Sequence, residues 1–248
     1  MILDIYKDAL EYSFQDGKRL VKLGIICLFN FLILPMFLEL GYSYRVIKVA
    51  VDGMINGEDT LPNFDDAISM FIDGLKVFVV KFVYMIVPII IFVILMVIGK
   101  AVGGASPTAG GIITFIGAVI GIVLGIVCYI LSDLGICHMA NGDESLSTAF
   151  DYKALREIVD SIGWLRLIGF YIGLIVIRFV VVLIVAIVLG IIFTILGVSV
   201  AALTAGAGIA GVVILGFIVM FAVFCFIVVP FLTIFEARSI GLVYNLKE

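Results

Sequence analysis

The chain has 248 residues, of which 64% are hydrophobic and only 14% charged, and its formal net charge is −4. Soluble domains carry about 45 to 50% apolar residues, so this chain has too few charges to cover a water-soluble globule. A soluble enzyme, a coiled coil and a disordered chain are excluded. The negative charge also excludes a nucleic-acid binder that relies on counterion release. The composition predicts an integral membrane protein.

Long runs without charged side chains predict transmembrane helices, because an ionised group near the bilayer centre costs at least about 2.5 to 3.5 kcal/mol. The longest run, residues 179–235, is long enough to cross a hydrocarbon core of about 30 Å twice. The stretch 199–208, rich in small residues, is the expected turn. We predict four spans, near residues 80–98, 112–132, 172–196 and 210–235.

The first hydrophobic segment, residues 23–38, is short and contains Asn30 and Pro35. It either crosses the membrane as a fifth span or forms a re-entrant hairpin bent at Pro35. A crossing would place four basic residues on the outer side, which favours the hairpin. These residues are Lys7, Lys18, Arg19 and Lys22.

The distribution of basic residues predicts the orientation of the spans. The two long loops and the C-terminus are rich in basic residues, whereas the connection 99–111 has one and the turn 197–209 has none. The residues counted are Arg45, Lys48, Lys76, Lys81, Lys153, Arg156, Arg166, Arg238 and Lys247. We therefore predict a multi-pass protein of the cell membrane with both long loops and the C-terminus in the cytoplasm.

An internal repeat relates the two long loops. Residues 56–61 match residues 141–146 in residue type at every position. Upstream, Glu39-Leu40-Gly41 matches Asp133-Leu134-Gly135. Chance does not readily produce such agreement over two blocks in the same order, so we predict two copies of one structural unit.

The repeat predicts how the chain is organised. Residues 1–248 form a single membrane domain in which 20–99 and 112–197 are the two copies and 210–235 is an extra span. Parallel copies would make residues 20–40 equivalent to the span near 112–132. The repeat therefore favours a membrane crossing by residues 20–40, whereas the basic residues favour a re-entrant hairpin.

Each long loop is expected to carry an amphipathic helix. In the first, Asn63 is placed to cap a helix that has Asp66 at its third position. The apolar face of that helix would be Phe64, Ile68, Phe71, Ile72 and Leu75. Its acidic face, Asp65, Asp66 and Asp73, is a candidate docking face for a cytoplasmic partner; alternatively, both helices only cover the ends of the bundle at the membrane interface.

The second loop helix has Ser147 as its expected cap. Its inward-facing residues would be Phe150, Ala154, Leu155, Ile158, Val159 and Ile162, and its outward-facing residues Asp151, Lys153, Arg156, Glu157 and Asp160. The predicted fold is therefore an all-α membrane bundle of four firm transmembrane helices. A fifth, spanning or re-entrant, N-terminal segment and two cytoplasmic loop helices complete it.

Glycines at helical spacing predict a close helix contact. Gly117, Gly121 and Gly125 lie on one face of the span near 112–132, and such faces let two helices approach closely. The partner is either another helix of the same chain or a second copy of it.

A few polar residues fall near membrane depth and form a candidate intramembrane polar site. They are Glu39, Asp133, His138, Arg178 and Glu236. The alternative is that these groups only meet the lipid headgroups at the ends of helices. Arg178 is expected either to reach the cytoplasmic interface, which we favour, or to pair with a buried acid.

Catalytic motifs are missing from the sequence. A single histidine excludes zinc sites that need two, and no nucleophile elbow, phosphate-binding loop or dinucleotide fingerprint is present. The cysteines have no Cys-x-x-Cys spacing and are expected to be free; they are Cys27, Cys128, Cys137 and Cys225. We predict no enzymatic activity, no catalytic residue, no metal and no cofactor.

Three blocks of the sequence occur in order: Gly41-Tyr42-Ser43-Tyr44-Arg45-Val46-Ile47-Lys48, then Leu61-Pro62-Asn63-Phe64-Asp65-Asp66, then Phe71-Ile72-Asp73-Gly74-Leu75-Lys76. Together they resemble the signature of an archaeal domain-of-unknown-function family of polytopic membrane proteins, best known from methanogens. The resemblance implies an archaeal cell-membrane protein. It assigns no catalytic or binding residue.

From the sequence, the favoured function is a non-enzymatic membrane scaffold or assembly factor whose acidic loop face captures a partner. The alternative is a transporter or permease-like protein for a small molecule, an ion or a lipid; an intramembrane enzyme is the third hypothesis. The direction of Arg178 and Asp133 discriminates the first two, because side chains that line a wet cavity favour transport. Expected partners are membrane lipids, a cytoplasmic or membrane protein, and a second copy of the chain, but no nucleic acid.

Overall fold

The computed structural model of the protein describes residues 1–204, 206 and 208–247, and these contain helices and no strand. A π-helical turn, Phe224–Val228, joins the last two helices, and short 3-10 turns cover Asn30–Leu32 and Asn245–Lys247. In chain order the helices are α1 (Ile2–Ser13), α2 (Gly17–Leu28), α3 (Leu34–Asp52), α4 (Ala67–Gly103), α5 (Pro107–Asn141), α6 (Leu146–Ala149), α7 (Tyr152–Ile162), α8 (Trp164–Thr204), α9 (Ile209–Val223) and α10 (Val229–Tyr244).

Four helical segments in the described part of the chain are long and apolar enough to cross a membrane, which confirms the all-α membrane fold. They are α4, α5, α8 and the continuous rod from α9 through α10, and they include the four predicted spans. Each extends beyond its predicted span because the polar residues at its ends continue the helix outside the apolar segment.

The turn expected over 199–208 is shorter than predicted. Helix α8 continues to Thr204, and the hydroxyls of Ser199 and Thr204 donate hydrogen bonds to carbonyls four residues earlier. This bonding lets both polar side chains remain in an apolar helix. Ala205 and Ala207 lie outside the described residues.

The buried core lies at one end of the long helices. There α1 and α3 pack against α10, and the adjoining ends of α4, α5 and α8 complete a cluster of buried aromatic and aliphatic side chains. Beyond this packed half, α4 with α5 and α8 with α9 project as two helical hairpins. Their side chains are apolar and largely exposed, as expected for helices that face lipid.

A layer of charged residues divides the packed half from the hairpins. It contains Lys81, Asp133, Arg178 and Glu236, one from each of the four long helical segments. Beyond Lys81, α4 continues for roughly 22 residues, or about 33 Å at 1.5 Å per residue. This length matches a hydrocarbon core of about 30 Å, so the charged layer lies at one end of a segment long enough to cross it.

The first hydrophobic segment forms a hairpin. Helix α2 has 12 residues, about 18 Å, and is too short to cross the core. The chain then turns through Asn30–Leu32 and returns in α3. The tip exposes apolar side chains to between 56% and 75%: Phe31, Leu32, Ile33 and Leu34. This geometry supports re-entry over a fifth crossing.

The bend of the hairpin lies before Pro35. Ile33 adopts the backbone conformation that breaks the helix, with φ of 66°, whereas Pro35 lies in the first turn of α3. A proline costs little there because the first backbone N–H groups of a helix have no intrahelical partner. The predicted bend at Pro35 was therefore wrong by two residues.

The first loop helix is not a separate element, because it is the beginning of α4. Asp66 caps α4 by accepting a hydrogen bond from the Ser69 backbone N–H at 3.1 Å, so the prediction of Asn63 as the cap was wrong. The predicted apolar face is divided: Ile68, Ile72 and Leu75 are exposed, whereas Phe64, which precedes the helix, packs against the core. The buried residues of this segment are Met70, Gly74 and Val77.

The second loop contains two helices. Ser145 caps the short α6 and Asp151 caps α7, so the expected cap at Ser147 was wrong. Leu155, Ile158, Val159 and Ile162 are buried, whereas Phe150 is 36% exposed. The charged residues of α7 and its cap face outward.

The two copies of the predicted repeat differ in local backbone. Asn56 has a positive φ of 58° in the first loop, whereas in the second loop Glu144 has a positive φ of 60°. These residues occupy the first and the fourth positions of the matched hexapeptide. The two loops therefore turn in different ways despite their similar sequences, and the repeat stays a prediction.

Candidate functional site

Charged side chains from separate helices converge on one cavity, here called the polar cavity. It has a volume of about 240 Å³ and lies between α3, α4, α5, α8 and α10. Its polar lining residues are Glu39, Ser43, Lys81, Asp133, Arg178, Thr233 and Glu236. Four of the five residues predicted to form an intramembrane polar site therefore lie together; His138 does not.

Lys81 and Asp133 form the most buried ion pair of this cavity. The Lys81 Nζ lies 3.1 Å from Asp133 Oδ1, and the Asp133 side chain is 2% exposed. The Tyr171 hydroxyl donates to Asp133 Oδ2 at 3.0 Å, and Lys81 also lies over the Tyr129 ring. Removing two charges from water is costly, and these additional contacts offset part of that cost.

Arg178 and Glu236 form a second pair at the edge of the cavity. The Arg178 Nη1 lies 3.3 Å from Glu236 Oε2, and the Tyr129 hydroxyl donates to Glu236 Oε1 at 2.8 Å. The Arg178 side chain remains 61% exposed. Arg178 therefore pairs with a partly buried acid while most of its side chain stays accessible.

Glu39 completes the cavity from α3 without an ion pair among the described residues. The Thr233 hydroxyl donates to its Oε1 at 2.9 Å, and the Asn30 side-chain amide donates to its Oε2. Glu39 and Asp133 are equivalent positions of the predicted repeat, and both line this cavity.

An apolar cleft lies between the α4–α5 hairpin on one side and α8 and α10 on the other. Its volume is about 420 Å³, and its apolar lining includes Met85, Ile122, Gly125, Ile126, Leu174 and Leu232. Arg178 and Glu236 line both the apolar cleft and the polar cavity. The two spaces together offer an apolar compartment beside a charged one.

The glycines predicted for helix packing divide between two environments. A Cβ atom at Gly117 or Gly121 would lie 2.6 Å or 2.8 Å from side chains of α4, so these glycines permit close packing of α4 on α5. A Cβ atom at Gly125 would meet nothing within 4 Å. Gly125 instead lines the apolar cleft.

His138 and the acidic loop residues lie elsewhere. The His138 Nδ1 is 2.9 Å from the Tyr244 hydroxyl, outside the polar cavity. Asp65 and Asp66 are exposed, but Asp73 has a side chain only 13% exposed and lies 3.9 Å from Lys76. The three acids therefore do not form one open face.

Several cavity residues were not among the predicted site residues. Lys81 was counted as a loop charge, although it lies one helical turn after the buried Val77 in an apolar helix. No sequence pattern marked Tyr129, Tyr171 or Thr233 as partners of the cavity's charged groups, because aromatic and threonine side chains are common in ordinary transmembrane helices. Among the described residues, no group of three His, Cys, Asp or Glu residues is placed to hold a metal ion.

Arg238 was also counted as a loop charge, but its side chain is 1% exposed. Its Nε lies 2.8 Å from Asp8 Oδ1, and its guanidinium carbon lies 4.6 Å from the centre of the Tyr12 ring. Its Nη1 is 2.9 Å from Asp59 Oδ2, an ion pair without hydrogen-bond alignment. This cluster joins α1, the first loop and α10 and does not line the polar cavity.

The residues that carry the family resemblance hold α3 to the segment before α4. The rings of Tyr42 and Phe64 stack with centroids 4.2 Å apart. The Arg45 guanidinium donates to the backbone carbonyls of Asn63, Asp65 and Asp66 at 2.6 to 3.1 Å. The first two signature blocks therefore pack against each other and have a structural role.

Comparison with protein-family models gives a match over residues 24–190 to a family described as "Protein of unknown function (DUF4013)". The matched region includes four charged residues of the polar cavity, Glu39, Lys81, Asp133 and Arg178, but not Glu236. Neither the curated proteins nor the solved structures give a match. Because the matched region covers more than half of the chain, the protein belongs to this family, whose function is uncharacterised.

Proposed function

We propose that the protein is a non-enzymatic carrier that binds a lipid-like amphiphile between its α4–α5 hairpin and helices α8 and α10. The apolar cleft takes the hydrocarbon chain, and the polar cavity takes the headgroup. The observation that carries the proposal is that Arg178 and Glu236 line both spaces. A ligand that is apolar at one end and polar at the other fits such a pair of compartments.

The buried charges support this role over that of a scaffold. Buried charged groups are costly, and in membrane proteins ionisable groups inside the helix bundle are retained mainly where they serve a ligand, an ion or a proton. Asp133 is turned into the polar cavity, which is the direction that favours transport. The scaffold hypothesis depended on an acidic face of Asp65, Asp66 and Asp73, and Asp73 is turned away from solvent.

The same proposal includes an orientation. The packed half, with both long loops and the C-terminus, faces the cytoplasm, as the basic residues of the sequence predict. In this orientation the cleft opens to the lipid of the cytoplasmic leaflet. The archaeal source implied by the sequence resemblance stays a prediction.

The test is to purify the protein in a mild detergent and to identify bound lipids by mass spectrometry. Gly125→Leu fills the apolar cleft, whereas Gly111→Leu adds the same side chain to an open position of the same helix outside the cleft. We expect wild-type protein and Gly111→Leu to retain a lipid in stoichiometric amount and Gly125→Leu to lose it.

Two outcomes would contradict the carrier. One is equal lipid retention by all three proteins. The other is a stoichiometric protein partner that is lost when Asp65 and Asp66 are changed to lysine, because this result would support the scaffold. If the protein transports, Asp133→Asn should abolish transport, since the change removes the charge that pairs with Lys81.

A further inference from the structure

The charges of the polar cavity do not balance. Its lining contains two bases, Lys81 and Arg178, and three carboxylates, Glu39, Asp133 and Glu236. Lys81 pairs with Asp133, and Arg178 pairs with Glu236. Glu39 is therefore the carboxylate without a basic partner among the described residues, and the ionised cavity has a net charge of −1.

The environment of Glu39 leaves its charge uncompensated. Its two oxygens accept hydrogen bonds from neutral groups, the Thr233 hydroxyl and the Asn30 amide. Hydrogen bonds orient a carboxylate, but they do not neutralise it, and a single charge near an apolar layer is costly. The cavity beside Glu39 has a volume of about 240 Å³, whereas one water occupies roughly 30 Å³ in the liquid. The cavity therefore has room for a polar group larger than a single water.

We propose, on the basis of the proposed function, that the headgroup of the bound amphiphile carries a protonated amine that pairs with Glu39. A primary ammonium has three N–H donors, so it can bond to Glu39 and also to the nearby hydroxyl of Ser43. An anionic headgroup without an amine would increase the negative charge of the cavity. The site therefore selects against it.

The order of the groups fits an amine-containing phospholipid. Arg178 lines both the apolar cleft and the polar cavity that holds Glu39; its side chain is 61% exposed, and one guanidinium nitrogen forms its ion pair. Its other N–H groups are donors that suit a phosphate oxygen. Hydrocarbon chain, phosphate and amine follow one another in the same order in such a lipid.

The test uses native mass spectrometry of the 248-residue protein in a maltoside detergent and measures the binding of three lipids that have identical acyl chains. The lipids are a phosphatidylethanolamine, a phosphatidylcholine and a phosphatidylglycerol. We expect the phosphatidylethanolamine to bind at least about tenfold more tightly than the phosphatidylglycerol, because only its headgroup brings a positive charge with N–H donors to Glu39. The quaternary amine of phosphatidylcholine has no N–H donor, so it should bind less tightly than the primary amine.

Glu39→Gln keeps the size and polarity of the side chain and removes its charge. We expect it to weaken phosphatidylethanolamine binding about tenfold and to leave phosphatidylglycerol binding unchanged or stronger. Glu157→Gln, at an exposed position of α7, is the matched control and should change neither. The preference of the wild-type protein tests the proposal even if Glu39→Gln does not fold.

The outcomes separate this inference from the carrier itself. Preferential binding of phosphatidylglycerol by the wild-type protein, lost in Gly125→Leu, would overturn the amine and keep the carrier. Unchanged phosphatidylethanolamine binding in a folded Glu39→Gln protein would also overturn the amine. Failure of all three lipids to bind would overturn both.

Discussion

Arg238 Nε lies 2.8 Å from Asp8 Oδ1, and this buried ion pair joins residues 230 positions apart in the chain. It attaches the N-terminal helix α1 to α10, the last helix of the packed half. Both side chains are at most 5% exposed, so water cannot solvate either charge if its partner is removed.

We expect Asp8→Asn to destabilise the protein by about 1.5 to 3 kcal/mol, because it removes a buried charge-assisted hydrogen bond to Arg238 and leaves Asp59 as the remaining acidic partner. Thermal unfolding in detergent, followed by circular dichroism, measures the change. Lys7→Gln removes an exposed ion pair with Glu11 and should cost less than about 1 kcal/mol. Similar losses for both variants would show that the buried pair adds nothing specific.

The crossing of α3 and α4 depends on two glycines. A Cβ atom at Gly74 would overlap the Phe37 carbonyl oxygen, and one at Gly41 would overlap the Met70 carbonyl oxygen. Because both obstacles are backbone atoms, the helices must separate to accept a methyl group. We expect Gly74→Ala to destabilise the protein by about 1 to 3 kcal/mol or more.

The control for this crossing is Gly169→Ala, in α8, where an added Cβ meets nothing within 4 Å. Alanine is the better helix former, so this variant should be neutral or stabilising by up to about 1 kcal/mol. Denaturation midpoints of the two variants in the same detergent give the comparison. A tolerated alanine at residue 74 would mean that the two helices do not cross so closely.

The Lys81–Asp133 pair should behave as one unit in a double-mutant cycle. Lys81→Met leaves the buried Asp133 carboxylate without its cation and is expected to cost about 3 to 5 kcal/mol. Asp133→Leu leaves Lys81, whose side chain is 35% exposed, and should cost less. The double variant should cost clearly less than the sum of the two, because no unpaired charge of this pair remains. Unfolding free energies of the four proteins test this coupling.

A second cycle on an exposed pair provides the reference for that coupling. Arg156 and Asp160 on α7 are 3.7 Å apart and more than 60% exposed. Their coupling should not exceed about 0.5 kcal/mol. Equal couplings in the two cycles would contradict the low-dielectric environment that the burial of Asp133 gives to this pair.

Asp143 in the second loop should titrate at low pH. Hydrogen bonds from the Thr148 hydroxyl and the Ser145 backbone N–H favour its charged form and lower the pKa of Asp143 to about 2, from an ordinary value of 3.8. Its contribution to stability is therefore fully present above pH 3.8 and is lost as the pH falls through about 2.

An NMR titration of the Asp143 carboxyl carbon measures this pKa directly. Thr148→Val removes the hydroxyl donor and should raise the pKa towards 3.8, whereas Thr148→Ser keeps a donor and should leave it low. An unchanged pKa in Thr148→Val would assign the low value to another cause.

Hydrophobicity alone located the four membrane-spanning helices, because the cost of placing a charge in hydrocarbon acts on each segment separately. The same local physics identified Glu39, Asp133, Arg178 and Glu236 as polar residues near membrane depth. The loop helices were less well predicted, since Ile68 and Ile72 show helical spacing whether they face a protein core or lipid.

Tertiary structure decided how these residues combine. Lys81 and Arg238 look alike in the sequence, as basic residues beside apolar helices, yet Lys81 lines the polar cavity and Arg238 holds the N-terminal helix. Their partners come from distant parts of the chain, and no spacing rule reports which helices meet. The sequence by itself determined which segments enter the membrane, whereas only the packing of the helices determined which charges are paired and left Glu39 without a basic partner.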